Sequence, residues 1–359
     1  MATIKDVARE AGVSTATVSR VFNGSGLVSE GTRRQVSEVA ARLRYWPNGV
    51  ARSLITQRTH VLGVLLPDLY GEFYSEVIRG LDLAARGEGF HLLVSSSHAD
   101  TAELMDAVRS MRGRIDGLIV MAPDVDAPAA LEVSGGNFPM VLIDPGVETT
   151  GFDTISIANF EGAYAMTRHL AKLGHRRIAI VAGPQRNADA RQRLEGYRAA
   201  LRDLGLPIEP GLEYEGDFTE PSGYAAVKSM LDERCLPGAI FASNDYMAVG
   251  VMEALSDAGV RVPEQAAVTG FDDIVLARHL NPPLTTVHVD AFGLGRRAIE
   301  RLLIRQRAPS ILGRHRELIR TTLAIRASCG AAGDARKTGS SGAPDASPDG
   351  DPPQRRRER

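Results

Sequence analysis

Seven short stretches between residues 61 and 271 are runs of apolar and β-branched residues: VLGVLL (61–66), HLLVSS (91–96), GLIVMA (117–122), MVLID (140–144), IAIVAG (178–183), AIFAS (239–243) and AVTGF (267–271). A strand with one solvated face alternates polar with apolar residues, whereas unbroken runs imply strands covered on both faces. Amphipathic segments of helix length separate them. That alternation predicts parallel sheets with helices wound on both sides. Some 270 residues, 60–330, are more than one such sheet uses, so two similar α/β lobes are expected, with the chain passing between them near Ile157–Glu161 and again near Val289.

The first 43 residues have another period. Ile4, Val7, Ala8 and Ala11 mark one face of a helix, and Gly12 follows where a left-handed cap fits. Ser14 is a good N-cap for a second helix that buries Val18, Val21 and Phe22 and leaves Thr15, Ala16, Thr17, Ser19 and Arg20 mostly outside. A third helix begins near Ser29 and buries Val36, Ala40 and Leu43. Two helices joined by a short turn containing Gly form a helix-turn-helix; a plain three-helix bundle has the same spacing. Next comes PNGVARSLITQRT, a linker opened by a Pro that a helix N-terminus tolerates.

Charge separates these regions. The chain of 359 residues carries a formal net charge of −2, yet residues 1–59 hold nine basic and four acidic side chains, a net of +5, and residues 60–330 carry −8. A basic head on an acidic body points to a polyanion-binding module joined to a part with another task. The last 29 residues contain no Val, Ile, Leu, Phe or Met, and Gly, Pro, Ser and Asp supply 15 of them, so this tail is expected to be disordered. Its RRRER end is read as a solvated charge run, weak nucleic-acid contact being the alternative.

Two cysteines, Cys235 and Cys329, cannot build a disulfide framework or a Cys-based zinc site, and a reducing compartment is expected. The charged N-terminus MATIKDVAREAG does not read as a signal peptide, and no run approaches the ~18 apolar residues of a membrane span, so a cytoplasmic protein is expected. No HExxH, GxSxG or GxxxxGK[ST] occurs, and the eight histidines are scattered. No catalytic residue, metal or cofactor is expected, and His175 is read as a loop-packing residue.

Ligands of open parallel sheets bind beyond the carboxyl ends of the strands. Those ends present Pro67-Asp68, Asp144, Gly183-Pro184, Asn244-Asp245 and Asp272-Asp273, with Arg191 and Arg193 in NADARQRLEGY and Phe218 in EGDFTEPSGY nearby in sequence. Carboxylates that accept from hydroxyls, a guanidinium that donates in pairs and an aromatic face suit a small neutral polyhydroxylated ligand. The same residues also fit helix caps and turns, with Arg193 pairing Asp144 and Asp272 to hold loops.

TIKDVAREAGVSTATVSRVFNGSGLVS, TRRQV, PNGVARSL and VLGVLLPDL together resemble the LacI/GalR family of transcriptional regulators. LGHRRIAIVAGP, RLEGYRAAL, EGDFTEPSGY, SNDYMAVGVMEAL, VTGFDD, PPLTTVHVD and ELIRTTLAIRAS extend the resemblance over residues 3–328. It implies an N-terminal all-α helix-turn-helix domain (1–46), a hinge helix (47–59) and a type I periplasmic-binding-protein-like α/β body (60–330) of two doubly wound parallel-sheet lobes. Lobe one spans about 60–159 plus 291–320 and lobe two about 160–290 plus 321–330, before the tail at 331–359.

The resemblance places Thr15, Ala16 and Arg20 against base edges in the major groove of operator DNA, and the residue types leave Ser14, Thr17, Ser19, Asn23 and Arg33 to phosphates. The hinge residues Asn48, Val50, Ala51, Arg52, Ser53 and Leu54 match a helix that folds on the minor groove, with Leu54 as the wedge. Gly49 weakens that helix. Phe73, Tyr74, Asp144, Arg193, Phe218, Asn244 and Asp272 match effector-binding positions in the cleft between lobes, and Asn244 with Arg193 and Asp272 resembles the sugar-responsive branches. The expected protein is a homodimeric repressor of a pseudopalindromic double-stranded operator, controlled by a carbohydrate effector. A nucleobase or nucleoside effector, a corepressor mode and an activating role stay open. An exported solute-binding protein and a sugar-modifying enzyme using Asp144 and Asp272 are the readings from other classes.

Overall fold

The computed structural model describes residues 2–22, 28–46, 58–123, 138–146, 151–308 and 314–331. Asn23, the hinge residues Asn48, Gly49, Val50, Ala51, Arg52, Ser53 and Leu54, and the tail from residue 332 lie outside them.

The head is three helices, α1 (Ile4–Glu10), α2 (Thr15–Phe22) and α3 (Glu30–Arg42). Each start has its chemical reason. Thr3 and Asp6 form a reciprocal capping box on α1, the Ser14 hydroxyl accepts from Thr17 N at 3.1 Å at the start of α2, and Ser29 accepts from Thr32 N on α3. Gly12 sits at φ +62°, the left-handed turn that ends α1. Val7, Ala8, Ala11, Val18, Val21, Val36, Val39 and Ala40 form the core, with Ile4, Phe22 and Leu43 packed around it.

The remaining described helices are α4 (Glu72–Gly87), α5 (Thr101–Met111), α6 (Asn159–Lys172), α7 (Ala188–Asp203), α8 (Glu220–Asp232), α9 (Asp245–Asp257) and α10 (Ala291–Arg307). The strands are β1 (Val61–Leu66), β2 (His91–Ser96), β3 (Gly117–Met121), β4 (Met140–Ile143), β5 (Asp153–Ile157), β6 (Ile178–Ala182), β7 (Glu213–Glu215), β8 (Ala239–Ala242), β9 (Ala267–Asp272), β10 (Thr285–His288), β11 (Arg316–Ile319) and β12 (Thr322–Ala324). They form two sheets, in the orders β11-β5-β4-β3-β1-β2 and β12-β10-β9-β8-β6-β7. In each, the first strand pairs on both sides and the chain then moves outward on one side, which creates a topological switch point beside β1 and beside β6. Pairing is parallel along the first sheet, and between β6, β8 and β9 in the second.

All seven apolar runs are strands, and five further strands accompany them among the described residues. β3, β4, β6 and β8 are buried throughout, as runs covered on both faces must be. β2 is an edge strand and alternates exposed with half-buried residues over its first four positions, so its apolar run overstated its burial. β7, β11 and β12 are short, partly exposed strands in outer positions, with too few apolar residues to read from the sequence. β5 hides for another reason: it opens on a polar pair, Asp153 and Thr154, both buried.

Of the described residues, those in Met1–Ala163, Ala182–Gly196 and His288–Thr322 cluster into one compact unit, and those in Tyr164–Val181, Tyr197–Val287 and Leu323–Arg359 into a second. Each contains a helix crossing close enough to require glycine. In the first, a Cβ on Gly80 would stand 2.1 Å from Phe292 O, and one on Gly295 2.2 Å from Val77 O. In the second, Gly223 would meet Met247 O at 2.0 Å and Gly250 would meet Glu220 O at 1.9 Å. No described helix is long and apolar enough to cross a membrane.

Candidate functional site

Two groups of residues carry chemistry, one on the head and one at the strand ends. On α2, Val18 and Val21 point into the core, which turns Thr15, Ala16 and Arg20 outward to the exposed surface, with Thr17 and Ser19 at the margin. Arg9 and Arg42 pair with Asp6 and Glu10, whereas Arg20 has no ion pair among the described residues. Ser14 is occupied as a cap. Arg33 is half-buried and its Nη1 donates to Val21 O at 3.3 Å, so it holds the end of α2 whatever else it contacts.

At the strand ends of the first unit, Asp144 directly follows β4 at φ +42°, a conformation that costs a non-glycine residue of order 1–3 kcal/mol. Its Oδ1 accepts from Ile157 N at 2.8 Å, while Oδ2 is buried with no hydrogen-bond partner among the described residues. Arg193, on the second turn of α7, is 5% exposed, and its Nε donates to Asn159 Oδ1 at 2.8 Å; the Asn159 amide in turn donates to Asp189 Oδ1 at 3.1 Å. Burial pushes the Asp144 carboxyl well above the ordinary carboxylate range, the Asp189 charge adds to that, and the Ile157 N–H and Arg193 oppose it. Phe73 and Tyr74, at the start of α4, are half-buried with their rings edge to face, 5.5 Å apart.

In the second unit, Asn244 caps α9: its Oδ1 accepts from Met247 N, and its Nδ2 donates to Phe218 O, each at 2.9 Å. Phe218 is at φ +70°, Asp272 at +112° and Asp273 at +61°. Beside Asp272 lies Asp245, fully buried, its two oxygens taken by Thr286 Oγ1 at 2.6 Å and Ile274 N at 2.9 Å. Burial first, and Asp272 second, push the Asp245 carboxyl well above its ordinary range. Asp273 pairs with Arg326 and, at 3.6 Å, with Arg278.

The structure thus brings Asp144 near Arg193, Phe73 onto Tyr74 and Phe218 onto Asn244. Asp144 and Arg193 are not simply a loop-holding ion pair: Arg193 Nε goes to Asn159, and Asp144 Oδ1 goes to the β5 backbone. His175 is half-buried before β6, and burial pushes its imidazole pKa down.

Residues 3–48 match the family described as bacterial regulatory proteins, lacI family, and residues 167–329 match a periplasmic binding protein-like domain. The ribose operon repressor of Escherichia coli (strain K12) is 38% identical over 313 residues, covering 87% of this chain and 95% of that protein. The chain belongs to the LacI family. The HTH-type transcriptional repressor PurR of Haemophilus influenzae (strain PittEE) is 36% identical over 307 residues, covering 85% of this chain and 91% of that protein. A solved structure of the lac repressor dimer bound to operator and the anti-inducer ONPF matches with a TM-score of 0.82 at 33% identity, over 91% of this chain and 99% of that one.

For a LacI-family chain the sequence reading of the strand ends was incomplete in the first unit. Asn159 and Asp189 are 0% and 6% exposed and tie into Arg193, yet neither had been singled out. Asn159 follows β5, the strand its polar start concealed. Asp189 lies one helical turn before Arg193, and that i, i+4 spacing was the available signal.

Proposed function

We propose that this LacI-family protein is a DNA-binding transcriptional repressor that grips a pseudopalindromic operator as a homodimer and is controlled by a small-molecule effector of the sugar class. The observation that carries the reading is the α2 face: Thr15, Ala16 and an exposed Arg20 without an ion pair among the described residues, on a helix whose opposite side is buried. Arg reads guanine with two hydrogen bonds, and Thr and Ala suit a thymine methyl. Ser14, Thr17, Ser19, Asn23 and Arg33 are the proposed phosphate contacts, and Asn48, Val50, Ala51, Arg52, Ser53 and Leu54 the proposed minor-groove hinge.

The proposed effector contacts are Phe73, Tyr74, Asp144 and Arg193 of the first unit and Phe218, Asn244 and Asp272 of the second. The strained backbone at Asp144, Phe218 and Asp272 supports that choice, because such conformations concentrate at functional sites. The ribose operon repressor among the relatives supports a sugar; a nucleobase or nucleoside effector is the second reading. We take the protein to have no catalytic role, and the domain boundaries at 46, 59 and 330 belong to the same proposal.

Selection from a pseudopalindromic DNA library, followed by gel shift with and without a panel of sugars and nucleobases, tests the whole reading. Trp46, the single Trp and 80% exposed at the end of the head, gives a fluorescence signal for the same titration. Selective retention of one pseudopalindrome, altered by one ligand class, is expected. Arg193→Ala is expected to keep operator binding and lose the ligand response; loss of operator binding instead would return Arg193 to a purely structural role.

A further inference from the structure

We infer that Asp116 is a positioning residue for the control of DNA binding: its carboxylate pins the junction of linker and body, so that a displacement carried along β3 moves the linker and is not lost as slack. The inference rests on the repressor reading above and concerns only the first unit.

Thr59 closes the linker, and His60 is the last residue before β1. One carboxylate takes three donors from this pair. Asp116 Oδ1 accepts from Thr59 N at 2.7 Å and from Thr59 Oγ1 at 2.8 Å, and Oδ2 accepts from His60 N at 2.8 Å. Hydrogen bonds to a charged acceptor are roughly twice as strong as neutral ones. Neighbouring groups close the junction further: Asp116 N donates to Val61 O at 2.7 Å, His91 N to His60 O at 2.9 Å, and Val61 N to the Thr59 hydroxyl at 3.2 Å. His60 sits at φ +57°, a left-handed conformation that a histidine keeps only where its surroundings impose it.

Asp116 also stands at the start of β3, which is buried along all five of its residues. At the usual rise per residue such a strand is about 17 Å long. At the far end Met121 pairs with Ile143, the residue before Asp144, and Pro123 O accepts from Ala188 N at 2.9 Å, at the start of the helix that carries Arg193. Close-packed interiors transmit strain, so a buried strand shifts as one piece. Ligand-driven shifts of packed elements are about 1–2 Å. Two unpinned residues would give the linker up to about 7 Å of slack, several times such a shift. Pinned, the linker follows the strand; unpinned, it becomes indifferent to the ligand.

The test measures, on the full chain, the factor by which a ligand changes affinity for the selected pseudopalindrome, using gel shift with D-ribose, D-glucose, D-galactose, cellobiose, adenine or hypoxanthine. For the ligand that acts on the natural protein, Asp116→Ala is expected to bring that factor from the ~5–150-fold usual for coupled sites to within about twofold of one. Calorimetry on the DNA-free variant is expected to show an unchanged ligand affinity. Thr59→Val, which keeps the branched shape but loses the hydroxyl, is expected to lose part of the coupling, and Thr59→Ser to keep it. A folded Asp116→Ala with the natural factor overturns the inference, as does a ligand affinity that falls together with the coupling, the mark of a merely structural role. If Asp116→Ala does not fold, Thr59→Val decides: a factor equal to that of Thr59→Ser overturns the inference. A natural protein whose operator affinity none of these ligands changes would instead overturn the effector reading itself, and the inference with it.

Discussion

At the scale of single residues, two buried carboxylates behave in opposite ways because their partners differ. Asp144 has one orphan oxygen and a neighbouring carboxylate, and its pKa is pushed up. Asp153, equally inaccessible at the start of β5, would also be raised by burial, but hydrogen bonds from Arg305, Arg301 and His315 N outweigh that and hold it at about 2. A lowered pKa contributes stability that is full above the ordinary value near 4 and is lost as pH falls through about 2; a shift of this size is worth about 2 kcal/mol. Denaturant titrations at pH 7 and pH 3 are therefore expected to show a loss that is smaller, by about 1 kcal/mol, in Asp153→Asn. That variant is also expected to be less stable at pH 7 by about 3–5 kcal/mol, since Arg301 and Arg305 are left facing a neutral amide. On the head, Arg20→Ala is expected to relax preference at one base pair per half-site by about 1–3 kcal/mol, measured by competition gel shift. Arg33→Ala is expected to lower affinity on every sequence alike and also the melting temperature, because its guanidinium holds the carbonyl end of α2.

At the scale of elements, the helix crossings depend on an absent atom. Gly223 and Gly250 let α8 and α9 touch backbone to backbone, as Gly80 and Gly295 do for α4 and α10. Gly250→Ala places a methyl 1.9 Å from Glu220 O and is expected to cost about 2 kcal/mol or more, read as a lowered denaturation midpoint. Gly259→Ala serves as the contrast: nothing among the described residues lies within 4 Å, and its φ of +69° is what penalises the change. Elements also mark where the sequence was legible. Central strands with unbroken apolar runs announced themselves because burial on both faces demands them; β5 and β10 did not, since each opens on two buried polar residues, Asp153 and Thr154 in one and Thr285 and Thr286 in the other. The candidate site was legible at Asp144, Asn244 and Asp272, which sit at or just past predicted strand ends. Asn159 depends on a strand that was not predicted, and Asp189 on a helical register that gains meaning only beside Asp144.

For the whole molecule, the segregated charge has a consequence. With +5 on residues 1–59 and −8 on residues 60–330, DNA affinity should rest on the heads and weaken with salt as their phosphate contacts are screened. Coupling between effector and operator is reciprocal: a sugar that weakens operator binding by some factor is expected to bind more weakly by that same factor when operator is present, measured by titrating sugar into free and DNA-loaded protein. The sequence by itself determined the class of each segment, because hydrophobic period and charge are properties of neighbouring residues: three helices with an outward Thr15, Ala16 and Arg20, then parallel strands with acid-rich ends. Only the tertiary structure decided which of those acids meet a guanidinium, which are sealed by backbone N–H groups and which is left with a bare oxygen. Those outcomes depend on contacts between residues far apart in the chain: Asp144 lies 45 positions from Asp189, and Asp153 lies 152 from Arg305.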